Sequence, residues 1–254
     1  MGSKSNLRMD GRLIIDRPQE GSRNMAVDEA IMMRAFELNV LTLRFYQWQQ
    51  PTLSLGYFQN YRSRVQHAES QSCSVVRRNS GGGAILHDDE LTYSLSVPAT
   101  TSGSGTDRSS SLYQEVHLSL LDALSGFGIQ AEINPTHQPG LESEFLCFQR
   151  RAVNDVLLGG HKICGSAQRK KNQAISQHGS LVLGSSAAAP QIIGTEVISG
   201  IRLERMEVLK GWKEAISSRL GIHFQEAELT DCEEFDAQRL QKGKFGTVKW
   251  NQRR

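Results

Sequence analysis

The sequence is poor in cysteine, has no long hydrophobic run and shows almost no charge imbalance. Its four cysteines, among 254 residues, are too few for a disulfide framework. They form neither a Cys-x-x-Cys pair nor a Cys/His cluster with zinc spacing, so no metal site is predicted. With 29 basic and 27 acidic residues the formal net charge is +2, which argues against a general nucleic-acid-binding protein. Reduced thiols in a reducing compartment are therefore expected.

The sequence also lacks the features of a membrane or secreted protein. No apolar run approaches the roughly 20 residues that a helix needs to cross a bilayer. The first residues, Met1 to Asn6, lack the apolar core of a signal peptide. We therefore expect a cytoplasmic protein that makes no use of a membrane.

The composition that remains, 38% hydrophobic and 22% charged, is typical of a globular protein. Short strand patterns alternate with helical ones, and no repeat or long linker divides the chain. We therefore predict one α+β domain in which helices pack on a mixed or antiparallel sheet. Helices are predicted at 24–36, with Asn24 as N-cap, at 112–127 and at 207–220. Strands are predicted at 12–16, 41–48, 53–57, 74–78, 84–87, 91–97, 153–158, 161–165 and 179–183.

Three further expectations concern single segments. The alternating pattern of 41–48 predicts a strand buried on one face only. The Ser/Thr/Gly-rich segment 99–111 is expected to be a mobile loop, and 136–144 a second loop. The last residues, 225–254, are expected to form a short polar C-terminal extension.

A run of three glycines between two predicted strands is the first feature that could carry chemistry. Glycine permits a positive φ and lets a ligand approach the backbone closely. Because Arg77 and Arg78 precede Gly81, Gly82 and Gly83, this loop could hold an anionic or extended ligand. Composition alone favours a tight turn flanked by solvated arginines, and the P-loop signature for nucleotides is absent.

A lysine and a cysteine are the candidate reactive groups. Lys162 follows the predicted Gly159-Gly160 turn, where its ammonium could polarise a carbonyl or stabilise a thiolate. Cys147 lies between apolar neighbours and the basic pair Arg150-Arg151, and nearby positive charge favours the nucleophilic thiolate. Taken alone, each is more commonly a structural residue.

Several blocks, in the same order, resemble the catalytic domain shared by biotin and lipoate protein ligases and octanoyltransferases. They are the segments 24–30, 43–48, 51–60, 77–87, 90–94, 154–155, 162–168 and 177–180. The resemblance implies a class II biotin/lipoate ligase-like fold with its catalytic domain at 12–224. It also implies a substrate-binding surface. That surface would comprise Arg77, Arg78, Ser80, Gly81, Gly82, Gly83, His87, Asn154, Asp155, Gly165, Ser166, Ala167, His178 and Gly179.

Within this superfamily the chain resembles the cysteine-dependent octanoyltransferases, which carry a Cys-Phe pair ahead of the lysine block. Cys147-Phe148 occupies that place. The resemblance implies that Cys147 takes octanoyl from acyl carrier protein as an enzyme thioester, and that Lys162 activates the thiol and stabilises the oxyanion. A lysine of a lipoyl domain, in 2-oxoacid dehydrogenases or the glycine cleavage H protein, then takes the acyl group. This path requires no ATP and no metal.

Three alternatives stay open at this point. An ATP-dependent lipoate–protein ligase would bind ATP and Mg²⁺, and Asn154-Asp155 also resembles the ligases. An amidotransferase would take its acyl group from another lipoyl protein, and a non-catalytic acyl-binding module would retain only the fold. Asn79-Ser80 departs from the Pro-Thr that many relatives carry before the glycines.

Overall fold

The computed structural model of the protein describes residues 9–98, 105–136, 144–171 and 173–254. Its strands are β1 (Met9–Ile15), β2 (Leu41–Tyr46), β3 (Thr52–Leu55), β4 (Ser74–Arg77), β5 (Ile85–His87), β6 (Glu90–Pro98), β7 (Glu132–Ile133), β8 (Val156–Leu158), β9 (His161–Lys171), β10 (Ala174–Val182) and β11 (Ile222–Glu226). Its α-helices are α1 (Gly21–Leu38), α2 (Gly105–Gly126), α3 (Thr195–Ser199), α4 (Arg205–Leu220), α5 (Asp231–Leu240) and α6 (Val248–Asn251). No helix of this part of the chain is long and apolar enough to cross a bilayer.

Two sheets form the framework, one more than predicted. The larger has the strand order β11-β1-β2-β6-β10-β9-β8-β7, and the smaller has the order β4-β3-β5. In the larger sheet β1 runs parallel to both β11 and β2, whereas the remaining pairs are antiparallel. The α+β architecture with a mixed sheet is therefore confirmed.

The strand predicted to be half-buried, β2, is buried along its whole length. Phe45 packs into the core formed with α2 and α4, while Tyr46 packs into the core formed with α1 and α5. Helices thus cover both faces of the sheet. The alternating pattern predicted that Arg44 faces solvent. Arg44 is instead fully buried, because it forms an ion pair with Asp28 of α1.

Helix α1 begins at Gly21, three residues before the predicted start. Asn24 is therefore not the N-cap: it lies inside the helix, fully buried, and its amide donates to the backbone oxygen of Gln47. A Cβ at Gly21 would lie 2.9 Å from the side chains of Thr52 and Trp48. A glycine therefore lets the first turn approach the neighbouring strand.

Helix α2 begins at Gly105, inside the segment expected to be a loop. The rest of that loop, 99–104, lies outside the described residues, as does 137–143 of the second expected loop. The strand expected at 153–158 is shorter, because Val153 is exposed and Asn154 has a φ of +70°. The strands β9 and β10 and the Gly159-Gly160 turn are present, with both glycines at positive φ.

The C-terminal segment 225–254 is folded onto the body of the domain. Strand β11, which was not predicted, extends the sheet alongside β1, and α5 packs on α1. A π-helical turn, Gln241–Phe245, buries Phe245 completely in the core next to α1. The C-terminal segment is mostly polar, but a few of its apolar side chains belong to the core next to α1.

Candidate active site

The structure brings the two predicted reactive residues together. The Nζ atom of Lys162 lies 3.8 Å from the Sγ atom of Cys147 and 3.4 Å from the backbone oxygen of the same residue. The same Nζ atom lies 2.8 Å from Oδ2 of Asp155. Lys162 and Asp155 are buried, whereas Cys147 keeps part of its surface open to solvent. The arrangement is therefore an accessible thiol beside a buried ion pair.

The lysine is positioned by the hairpin of β8 and β9. The Gly159-Gly160 turn reverses the chain, and the register shifts between Val156 and Leu157, so that Lys162 pairs with Leu157. Gly165 makes room for the side chain, because a Cβ at this position would overlap Cε of Lys162 and lie 2.7 Å from its Nζ atom. The absence of a side chain at Gly165 is therefore what allows Lys162 to occupy its position.

The cysteine is positioned by a contact distant in sequence. Leu146 bridges Ala84, at the end of the glycine loop, and the amide of Cys147 donates to the oxygen of Ala84 at 2.6 Å. A short 3₁₀ turn, Cys147–Gln149, starts there and leaves the thiol facing Lys162. Gly83 lies against this turn, since a Cβ on it would be 3.1 Å from the amide nitrogen of Cys147.

Electrostatics distinguish Cys147 from Cys164, the other cysteine near the lysine. Burial disfavours the Lys162 ammonium, but the charges of Cys147 and Asp155 outweigh it, so the pKa of Lys162 is raised. Cys164 is completely buried in the core, and burial raises its thiol pKa. A permanent ammonium therefore lies beside the accessible thiol, while the buried one is kept neutral.

The Asn154-Asp155 turn holds the ion pair. Oδ2 of Asp155 accepts from the amide of Ala152 at 2.7 Å as well as from Lys162. The oxygen of Asn154 accepts from Nδ1 of His117 on α2. Since a carbonyl only accepts, this bond places the imidazole proton on Nδ1 and leaves Nε2 as an acceptor. Burial lowers the pKa of His117 to about 4, which keeps the ring neutral.

A directed chain of hydrogen bonds follows from that tautomer. Nε2 of His117 accepts from Oγ of Ser166 at 2.6 Å, and Ser166 in turn accepts from the hydroxyl of Tyr93 at 2.7 Å. Gln177 donates to Tyr93 at 2.6 Å. Sequence reasoning missed His117; the available signal was a polar ring next to the apolar stripe of α2. Ser166, predicted as a substrate contact, is held within the structure by this chain.

The predicted arginines do not present free guanidinium groups to a ligand. Arg77 is fully buried and donates to the backbone oxygens of Gly56, Gln59 and Asn251. Arg78 is also buried and donates to the oxygens of Ser54, Gly81 and Gly83. Burial lowers the pKa of Arg78 to about 10. Most of their donors therefore fix the glycine loop, but Arg78 also lines the cavity beside the loop, so ligand binding by these arginines stays a prediction.

The three loop glycines differ in their surroundings. Gly82 is exposed and has a φ of +91°, which a side chain would strain. Gly83 is buried against Cys147 and Arg150, whereas Gly81 has room around its Cβ position. Valine at Gly82 or Gly83 would thus disturb the backbone or Cys147 itself, and would not report on a blocked path alone.

A narrow cavity opens beside the loop, between α1 and the sheet. Its lining residues are Met25, Asp28, Glu29, Met32, Arg78, Asn79, Ser80, Arg169, Ser176 and His178. Oγ of Ser80 lies 2.5 Å from Nε2 of His178, and burial lowers the pKa of His178 to about 4. Across β9 and β10, His178 pairs with Ala167 and Gly179 with Ser166. The predicted blocks at 165–167 and 178–179 thus adjoin one another.

His87 belongs to a separate buried network. Nε2 of His87 lies 2.7 Å from Oγ of Ser54, and its Nδ1 atom lies 2.6 Å from Oε1 of Glu90. Trp48 stacks on the imidazole at 3.8 Å. Ser54 and Glu90 are almost completely buried, and Oγ of Ser54 also accepts from Arg78, so this network supports the glycine loop.

Asn79, at which the sequence departs from the Pro-Thr pattern before the glycines, has structural partners. Its amide donates to Glu29 of α1 at 2.8 Å, and its side-chain oxygen accepts from Lys244 at 2.8 Å. Lys244 also forms an ion pair with Glu29. Lys244, a residue of the C-terminal segment, therefore connects the glycine loop to α1.

Among the residues that the structure describes, no three His, Cys, Asp or Glu side chains are grouped to hold a metal ion.

This chain is similar to proteins of a known family. The family model described as the lipoyl protein ligase A/B catalytic domain matches residues 20–202. The chain belongs to this family. Octanoyltransferase LipM of Moorella thermoacetica is 31% identical over 261 residues, which cover 91% of this chain and 93% of that protein. Octanoyltransferase LipM of Oceanobacillus iheyensis is 36% identical over 170 residues, and that alignment spans only 65% of this chain and 61% of the relative.

Solved structures of the family show the same fold. A bi-partite lipoate protein ligase, described with its E2 lipoyl domain from Thermoplasma acidophilum, superimposes with a TM-score of 0.75 at 23% identity, covering 96% of both chains. The expected ligase-like fold is thereby confirmed. Cys147, Asp155 and Lys162 lie inside the span of the family model, whereas Lys244 and the C-terminal segment lie outside it.

Proposed function

We propose that this member of the family is an octanoyltransferase that carries the acyl group on Cys147. The observation that supports the proposal most directly is the accessible thiol 3.8 Å from the ammonium of Lys162. The relatives named octanoyltransferase LipM, one of them aligned over nearly its full length, support the same activity. An ATP-dependent ligase would need no cysteine at this place.

The first step is attack of the Cys147 thiolate on the thioester carbonyl of octanoyl-acyl carrier protein. A carbon–sulfur bond forms to Cys147, and the bond to the carrier sulfur breaks, so the carrier leaves as a thiolate that takes up a proton. Lys162 favours the attacking thiolate by its charge. It can also donate a hydrogen bond to the oxyanion of the tetrahedral intermediate.

The second step is attack of a neutral lysine amine of a lipoyl domain on the enzyme thioester. The amide forms, one proton is released, and Cys147 leaves as the thiolate that Lys162 stabilises. Because an amide is more stable than a thioester, the overall reaction proceeds without ATP, and none of its bonds requires a metal. Asp155 holds Lys162 in place during both steps, and His117 holds the turn that carries Asp155.

The proposed path of the acyl chain leads into the cavity beside the glycine loop, along its two apolar lining residues, Met25 and Met32. Unbranched methionine side chains can move aside for a flexible hydrocarbon. Each buried methylene stabilises binding by about 0.8 kcal/mol. Lipoyl-domain proteins are the acceptors that the family implies, and a reducing cytoplasm would keep the thiol of Cys147 available.

Intact-mass spectrometry tests the proposal. We expect the protein, incubated with octanoyl-acyl carrier protein and no ATP, to gain one octanoyl group, which peptide mapping should place on Cys147. Addition of a lipoyl domain should discharge it. ATP-dependent formation of an acyl-adenylate from free octanoate or lipoate, without loading of Cys147, would establish a ligase, and loading from an octanoylated lipoyl protein alone would establish an amidotransferase. Neither loading nor adenylate formation under any condition would leave a binding module.

A further inference from the structure

A group of partly or fully exposed aromatic and arginine side chains borders the glycine loop. We define it as the aromatic–arginine surface, comprising Tyr57, Phe58, Arg169, Arg253 and Arg254. The guanidinium of Arg253 lies 4.0 Å from the ring centroid of Tyr57, and that of Arg254 lies 5.3 Å from the ring centroid of Phe58. Arg169 lies 5.6 Å from the Tyr57 ring. Phe58 is 69% exposed.

Aspartate and glutamate side chains do not pair with the arginines of this surface: within the described ranges, none of the three forms such an ion pair. Glu29, a buried carboxylate near the glycine loop, is engaged by Lys244 and Lys171. The hydrogen bond and the charge of Arg253, with the charges of Arg169 and Arg254, lower the pKa of Tyr57. On a chain whose net charge is only +2, this is a local concentration of positive charge.

The surface lies within a short distance of the reactive thiol. The amide of Tyr57 donates to the oxygen of Ser80 at 2.8 Å, and Phe58 lies 3.9 Å from the Cβ position of Gly81. Gly83, two residues further along the loop, lies against the amide of Cys147. Since consecutive Cα atoms are about 3.8 Å apart, the Cα atoms of Gly81, next to Phe58, and Gly83, next to Cys147, are less than about 8 Å apart. A 4′-phosphopantetheine arm is long enough to cross it.

We propose that the aromatic–arginine surface docks the acyl carrier protein, the donor in the reaction proposed above. The donor arrives as an anion, with a phosphodiester at the base of its arm and acidic side chains around it. Arginine is the side chain best suited to bind phosphate and carboxylate groups, through two parallel hydrogen bonds. The acceptor presents a lysine, which the same positive surface would repel. The exposed aromatic rings provide apolar contact at the centre of the patch.

The proposal rests on the proposed transferase activity, and the experiment separates the two. Initial rates of Cys147 loading are measured with octanoyl-acyl carrier protein and with the small thioester octanoyl-N-acetylcysteamine, which has no carrier to dock. Variants are Arg253→Glu, the conservative Arg253→Lys, and Arg202→Glu as control. Arg202 is 88% exposed and lies before α4, on another part of the surface. Binding of unacylated carrier protein is measured in parallel.

For Arg253→Glu we expect kcat/KM with the carrier substrate to fall roughly tenfold or more, with the small thioester unchanged. Carrier binding should weaken in parallel, and both effects should shrink at high salt because exposed charges are screened. Arg253→Lys should retain most activity and Arg202→Glu all of it. Equal losses with both substrates, or unchanged loading from the carrier and unchanged carrier binding, would overturn the proposal. If wild type loads from neither thioester, the transferase proposal fails, and carrier binding alone decides whether the surface docks it.

Discussion

Replacing Lys162 by methionine removes the ammonium that lies 3.8 Å from Sγ of Cys147 while keeping the length of the side chain. Two unit charges at this distance interact by about 4 kcal/mol at an effective dielectric constant near 20. That energy corresponds to roughly a thousandfold change in an equilibrium constant. Asp155 cancels part of the field of the lysine, and an ordinary thiol still has a few per cent thiolate at pH 7, so we expect the alkylation rate of Cys147 at this pH to fall by roughly 10- to 100-fold.

The assay is residue-resolved alkylation by iodoacetamide, followed by mass spectrometry of the peptide that contains Cys147. Lys210→Met is the control, because Lys210 is exposed on α4 and its loss changes the net charge equally. Since Lys162→Met leaves Asp155 buried without its partner, it should lower the free energy of unfolding by about 3–5 kcal/mol. The double variant Lys162→Met/Asp155→Asn removes both charges and reduces that cost. Wild-type alkylation rates in both variants would refute the electrostatic role of Lys162.

Three further predictions follow from the surroundings of the site. Gly165→Ala should displace Lys162 and lower octanoyl transfer at least about tenfold, whereas Gly126→Ala, where the Cβ meets open space, should leave the transfer rate unchanged. Because the pKa values of His117 and His178 are both about 4 when folded and about 6.5 when unfolded, urea titrations should show stability falling as the pH drops through this window, by at most about 3 kcal/mol per histidine, and His117→Asn should remove its own share of the fall. Lys244→Met should leave thermal unfolding cooperative but slow transfer, and unchanged rates would show that the C-terminal tie to the loop is dispensable.

The sequence was informative where function depends on local pattern. The Gly159-Gly160 turn and the glycine at 165 could be read directly, and they do position Lys162. The order of the matched blocks gave the family and the pairing of Cys147 with Lys162. The distance between them could not be predicted, because it depends on the bridge between Ala84 and Leu146.

The errors arose where long-range partners determine the role of a residue. Composition favoured solvated side chains for Arg77 and Arg78, but both are buried, and the oxygens that they bind belong to loops far away in the sequence or to the glycine loop itself. His117 gave only a weak signal, because its importance comes from Asn154 and Ser166. The C-terminal segment looked polar, since few of its residues are apolar, yet Phe245 is completely buried.

The most direct test of the account compares Cys147→Ser with Cys164→Ser in octanoyl transfer from acyl carrier protein to a lipoyl domain. The Cys147 variant should lose transfer by several orders of magnitude, on the scale of other nucleophile deletions. The Cys164 variant, which changes a thiol enclosed in the core, should keep most of its transfer activity. A Cys147→Ser protein that still lipoylates its acceptor, given ATP and free lipoate, would contradict the transferase mechanism and identify a ligase of the same family.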